Sequence, residues 1–506
     1  MNRAVRAAAV VAAIVAALIA GAAFAGPSDQ VGVEHPERIE PVVRSASVCP
    51  YVGGEPNATS VVGVLAIPGV DEPAPLPPDA DDADDADEAD EADEAAAISV
   101  QRLYGEDDED APEPITTVSE RAVRSLETVD ENNPAPYAVR AHGPLAPGVV
   151  AEQWMYADGP DLRGLVTASC TAPEREHWFV GASTAAGNRG RLLLSNLSPT
   201  PATATVSLWG ADGPIETSAT REITVGANAQ ELLLLEALAP DHEHLAVHVE
   251  ATRGRVAAAI DHRETEDGEP RGISMIPAAT APSDTVVVPG VPGDGDRSLR
   301  IFTPGSTDAF VSVEVLAPDG SFRPVDLDAL VVPAEGVLEV PVSDAVGDEP
   351  TAIRLVSDEP ITAALRVVRT ESEGLPDIAY SAATSALPAG PLAIVMGRDD
   401  DELSSGLIFS AVGEMGGRVV VRTLDEDGEV VDDETVELTG GSTREVELAA
   451  SGSWVTAVID VSAAGTIVGA RQIVGSDDAG RLADLMPLTA PQLTVLVPEV
   501  AGELAP

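Results

Sequence analysis

Along most of this chain apolar and polar residues alternate with a period of two. Three stretches make the pattern plain: TATVSLWGADG, FVSVEVLAPDG and RVVVRTLDEDG, ending at Gly213, Gly320 and Gly428. In HLAVHVEATRGRVAAAI, Val247 and Val249 face one way and His248 and Glu250 the other. Such alternation predicts half-buried strands. The Asp-Gly pairs Asp212-Gly213, Asp319-Gly320 and Asp427-Gly428 predict tight hairpins, because those turns need the positive φ that glycine adopts at no steric cost. No helix of ordinary length is predicted beyond the N-terminal segment.

The Asp-Gly pairs lie 107 and 108 residues apart, so a β module of about 105 residues recurs. Upstream of each pair stands a strand, a Gly- and Asp-rich loop and a second strand, as in HWFVGASTAAGNRGRLLLSNLSP. Downstream come two further strand pairs, exemplified by REITVGANAQELLLL and HLAVHVEATRGRVAAAI, both read as hairpins. Each module closes on a short segment ending in proline: Thr280–Pro282, Ser385–Pro388 and Thr489–Pro491. A diverged first copy precedes them, with SVCPYVGGEPNATSVVGVLAIPG at its start, Thr171–Pro173 as its closing segment and GEDDEDAP at the turn position. The expected organisation is a leader at 1–26, copies at 27–170, 171–282, 283–388 and 389–491, and a tail at 492–506. The tail LTVLVPEVAG repeats the first strand of a copy that then stops; it could complete the fourth copy's sheet or close a ring onto the first. The expected class is all-β, with tandem immunoglobulin-like sandwiches of about 105 residues. The rival is a β-propeller with two blades per copy.

Charge and composition narrow the function classes. The net charge is −56 and all 29 basic residues are arginine. An anionic surface repels nucleic acid and anionic lipid, and without lysine there is no Walker loop, Schiff-base lysine or Ser-Lys pair. The run from Asp79 to Glu94 carries 11 acidic residues in 16. It cannot bury apolar surface, so a disordered, solvated insertion is expected at about 71–97. MNRAVR, an apolar stretch from Ala7 to about Ala25 and the small-x-small Ala23-Phe24-Ala25 form an export signal, cleaved or kept as a single-pass anchor. In an exported chain the only two cysteines, Cys49 and Cys170, are expected to pair and tie the ends of the first copy.

Candidate chemistry is thin. His242, His244 and His248 form the one histidine cluster, but spacing along a strand does not force three ligands to converge, and exposed strand positions are the plainer reading. The loops PGDGDR, with Asp294 and Asp296, and GRDDDELSSG, with Asp399, Asp400, Asp401 and Glu402, offer oxygen donors of the kind Ca²⁺ takes. They lack the full spacing of known calcium loops, and solvated turns explain them equally. An acid-pair glycan hydrolase would need sugar-stacking aromatics, and there are four tryptophans, of which Trp178 and Trp454 fall in apolar strand patterns. There is no GxSxG or HExxH. No catalytic residue and no resident cofactor is assigned, with Ca²⁺ the one cofactor the loops suggest.

NRGRLLLSNLSPTPATATVSLWGADG, followed by ITVGANAQELLLLEAL and HLAVHVEATRGRVAAAI, resembles an actinobacterial family of exported proteins catalogued as a domain of unknown function, over most of residues 171–491. The resemblance implies a cell-envelope location and no assigned reaction. The expectation is a non-catalytic envelope or secreted scaffold or binding module, with cell-wall glycan or other envelope proteins as partners. A glycan- or Ca²⁺-binding surface is the alternative.

Overall fold

The structure, a computed structural model, describes residues 37–50, 58–71, 97–104, 112–129, 135–217, 222–371, 374–449, 453–462 and 466–498. The expected export signal and the acidic run Asp79–Glu94 lie outside the described residues. The fold is all-β, built from many small antiparallel sheets. Among the described residues the two α-helices are single turns, Leu235–Leu238 and Ser343–Val346, and no helix is long and apolar enough to cross a membrane.

The second copy shows how the pattern becomes structure. One sheet holds Glu176–Ala182, Leu245–Arg253, Ala202–Gly210, Gly213–Pro214 and Ile223–Val225; the other holds Ala229–Leu234, Asn188–Asn196, Ala257–Glu266 and Glu269–Ile276. In Ala202–Gly210 every second side chain is buried, Ala204, Val206 and Leu208 among them. These residues meet Leu192, Leu194 and Ile260 of the other sheet in one core cluster. The first and fourth copies repeat the scheme with two four-stranded sheets each.

The Asp-Gly hairpins form, with glycine one step later than a central turn position. Gly210 pairs with Gly213, leaving Ala211 and Asp212 as the turn; Ala317 pairs with Gly320 around Pro318 and Asp319. The positive φ falls on the glycine that resumes the strand, +125° at Gly213 and +126° at Gly320. In the fourth copy Leu424 pairs with Val430 across a longer loop, and Gly428 has φ +81°. In the first copy Ile98–Arg102 pairs with Thr116–Val118, so the hairpin is kept, while 105–111 lie outside the described residues.

The two further strand pairs expected as hairpins are not: Ile223–Val225 bonds to Ala202–Gly210 and Ala229–Leu234 to Asn188–Asn196, and the next two strands also part. Leu245–Arg253 bonds to Glu176–Ala182 and Ala202–Gly210, whereas Ala257–Glu266 bonds to Asn188–Asn196 and Glu269–Ile276. The chain therefore turns a corner from one sheet to the other. In the third copy that corner is passed without a break by the 19-residue strand Thr351–Arg369. Its first half bonds to Ser283–Val291 and Ala309–Ala317, its second to Asp296–Phe302 and Asp377–Ala382. A period of two fixes which side chains turn inward but not which strand lies alongside.

The last strand of each copy sets how the copies meet. Within residues 41–494 the closing strands are Arg163–Ser169, Glu269–Ile276, Asp377–Ala382 and Gly480–Pro487. The first lies against the second and the fourth, and the third also lies against both. The four copies thus meet in cyclic order, with apolar clusters crossing each junction. Of the two places expected for the tail strand, the fourth copy's sheet is not the one: Thr494–Pro498 pairs with Glu37–Pro41, near the start of the first copy, as a separate two-stranded sheet. The disulfide between Cys49 and Cys170 is present, spanning 121 residues, and Val48 and Thr171 bridge beside it.

Candidate functional site

The residues with unusual environments gather around the closing strands. Asp377, at the start of the third, is fully buried. Its carboxylate accepts N–H bonds from Leu165 at 3.0 Å, Ile273 at 3.4 Å, Ile378 at 2.9 Å and Ala483 at 3.1 Å, one from each closing strand. Space for it comes from Gly164 and Gly272, where a Cβ would stand 2.6 Å and 2.5 Å from its Oδ1. Both glycines have positive φ, +146° and +132°, so the close approach and the backbone both select glycine. Burial pushes the Asp377 carboxyl well above the usual carboxylate range, against the pull of the N–H donors and of Arg163.

The junction of the first and fourth copies holds a second cluster. Arg471 and Glu152 form an ion pair at 2.7 Å with side chains 0% and 1% exposed. Arg471 also donates to the Met396 carbonyl and the Thr167 hydroxyl, and the Met396 N–H returns to Glu152. Thr167 in turn donates to Asp484, whose carboxyl is pushed up to about 6 by burial. Nearby, Arg163 and Tyr156 both bond to Asp477, holding its carboxyl low despite partial burial. Arg398 lies over the Trp454 ring at 4.5 Å, and Trp154 meets Trp454 edge-on. At the second junction Glu264 bonds to Arg366 and lies beside His262, which keep it ionised although it is buried.

Above this cluster lies a cavity of about 390 Å³. Its walls come from the ends of closing strands and the closing segments beyond them, including Thr167–Ala172, Met275–Ala278, Thr384 and Leu485–Gln492. Of the four proline-ended segments, two line it, through Thr171–Ala172 and Thr489–Pro491.

The residues singled out from sequence lie elsewhere. His244 sits just before the strand that carries His248 and faces Glu339 at 3.1 Å. His248 stacks on Trp178 with ring centres 3.8 Å apart and meets Glu176. The His242 carbonyl receives N–H bonds from Thr184 and Ala185. The three histidines share no partner. Asp294 pairs with Arg369, and Asp296 is exposed. Asp400 takes up Arg398 and the N–H groups of Glu402 and Leu403, the Asp399 N–H bonds to the Ser453 carbonyl, and Asp401 is exposed. Among the described residues no three His, Cys, Asp or Glu are grouped to hold a metal ion. Trp178 is buried as its strand pattern predicts, and Trp454 is half-buried.

Asp377, Asp484, Glu152 and Arg471 were not foreseen. A weak signal exists: Arg163-Gly164 and Arg271-Gly272 recur at one place in the module, and Asp484 and Arg471 are lone charges within apolar runs.

No curated protein matches this chain. Among solved structures, an anti-sigma factor domain-containing protein from Clostridium clariflavum is 8% identical, covering 80% of this chain and 99% of that one, with a TM-score of 0.11. The α-L-rhamnosidase of Streptomyces avermitilis, complexed with L-rhamnose, is 10% identical over 77% of this chain and 54% of its own, also with a TM-score of 0.11. The profile of one family spans residues 125–449, from within the first copy to within the fourth, and the chain belongs to that family, the family of unknown function DUF5719.

Proposed function

We propose that this is an exported, non-catalytic protein of the cell envelope that acts as a scaffold or binding module. The observation that carries the reading is where its buried charge lies. Glu152, Arg471, Asp484, Arg163 and Asp377 each bond across from one copy to another, so the buried charge is engaged in joining the copies. Export is supported by the N-terminal Arg-then-apolar segment and by the disulfide, which persists in oxidising compartments. Successive strands cross between two sheets that share a core, which supports sandwich copies over propeller blades, whose consecutive strands pair side by side.

Fractionation of producing cells tests the location: the protein is expected in the envelope or the medium, and a purely cytoplasmic protein would sink the export reading. Turnover of chromogenic glycosides or esters by the purified protein would overturn the non-catalytic one. The alternative, a Ca²⁺- or glycan-binding surface, is supported by exposed Asp296 and Asp401. It predicts a rise in Tm with millimolar CaCl₂ or with envelope polysaccharide.

A further inference from the structure

The cavity at the closing strands has the size and lining of a binding site. Alanine occupies wall positions 151, 168, 258, 259 and 393, where the larger side chains usual in the rest of these strands would close the space. Met275 and Met486 add walls that adapt to a guest's shape. A water-sized group occupies on the order of 30 Å³, so the volume of about 390 Å³ accepts on the order of a dozen such groups.

Charge selects the head group. The ionisable lining groups among the described residues are Glu152, Glu174 and His177, with no arginine. Burial pushes the His177 imidazole down, against its bond to the Val256 carbonyl, so it is neutral at pH 7. Glu152 is already matched to Arg471, while Glu174 is exposed at the rim. The rim hydroxyls of Ser45, Ser47 and Thr171 can hydrogen-bond an uncharged polar end. An anionic head would meet Glu174, with no arginine among the lining residues to offset it.

We propose that this cavity binds the aliphatic chain of a ligand whose head group is uncharged or cationic. The proposal rests on the binding-module half of the functional reading and gives it a ligand class. Fluorescence titration of the full chain with the neutral probe N-phenyl-1-naphthylamine, followed by displacement with decanol, decylamine or decanoate, tests it. Saturable one-site binding is expected, with decanol and decylamine displacing the probe at concentrations about ten-fold or more below decanoate.

Two variants locate the site. Ala259→Phe fills the wall, and Ala278→Trp crowds the exposed rim without entering a core; each should weaken probe binding about ten-fold or more. If Ala259→Phe fails to fold, Ala278→Trp still decides. Absence of saturable binding, equal displacement by decanoate, or unchanged binding in a folded Ala278→Trp overturns the proposal.

Phosphatidylcholine vesicles separate a membrane source of the chain from a free one. Sedimentation with vesicles that Ala278→Trp abolishes identifies a membrane lipid, and no sedimentation identifies a soluble ligand. Sedimentation that Ala278→Trp leaves intact would place lipid contact elsewhere and count against the cavity. A null probe titration for a protein still found in the envelope would remove the ligand and leave the scaffold reading standing.

Discussion

Asp377 is a single side chain in contact with all four closing strands, and its replacement is the sharpest test of how they are joined. Asp377→Ala leaves buried N–H groups without an acceptor and should cost about 3–5 kcal/mol, while Asp377→Asn keeps one oxygen and should cost about 1–3 kcal/mol. Urea unfolding measures both. A cost near zero for the alanine variant would mean that water reaches the hub. Asp484 gives a test in pH. Its folded-state carboxyl, at about 6, lies above the ordinary 3.8, so the folded state resists ionising it. The penalty is absent below about pH 4 and grows as pH rises through 6. Relative to the parent, Asp484→Asn should therefore gain on the order of 3 kcal/mol between pH 4 and 7. Glu264 works in the opposite sense: His262 and Arg366 outweigh its burial, so its contribution is present above the usual carboxylate range and lost on acidification. Comparing parent and Asp484→Asn at each pH cancels that term.

At the scale of elements, the junction between the first and fourth copies depends on one buried ion pair. Removing Arg471 alone leaves Glu152 charged and unmatched, so Arg471→Met should cost about 3–5 kcal/mol, whereas Arg471→Met with Glu152→Leu should recover much of the loss. A double-mutant cycle on urea midpoints gives the coupling; additive losses would show that the pair is solvated. The closing strands also explain their glycines. Gly164 and Gly272 each follow an arginine near the start of a strand, and the arrival of Asp377 from another copy gives them a reason. Strand existence, inward faces and the Asp-Gly hairpins were legible because each depends on residues near one another in the chain. The sheet-switching corners were not, because a strand packed across a core and one paired alongside bury the same alternate residues.

For residues 41–494 as a whole, clusters shared between the first and second, second and third, third and fourth, and fourth and first copies should couple their unfolding. Calorimetry of the intact protein is expected to show one main transition, and separate transitions would mean the junctions are weak. Cys49→Ser with Cys170→Ser opens the loop of 121 residues and should lower stability by about 2–5 kcal/mol, read as a fall in Tm and urea midpoint. The size of that fall also reports how far the first copy stays held by its neighbours once the staple is gone.

The sequence by itself determined an all-β chain, the hairpins at Asp212-Gly213, Asp319-Gly320 and Asp427-Gly428, and the pairing of the two cysteines. These follow from alternation, turn chemistry and a count of two, which act locally or admit one solution. Tertiary structure alone decided that strand pairs cross between sheets, that the tail pairs with Glu37–Pro41, and that the closing strands meet around Asp377 with a cavity at their ends. Those features depend on contacts between residues far apart in the chain, such as Trp178 with His248, Leu165 with Asp377 and Glu152 with Arg471. No local pattern encodes the distance at which a buried carboxylate will find its donors.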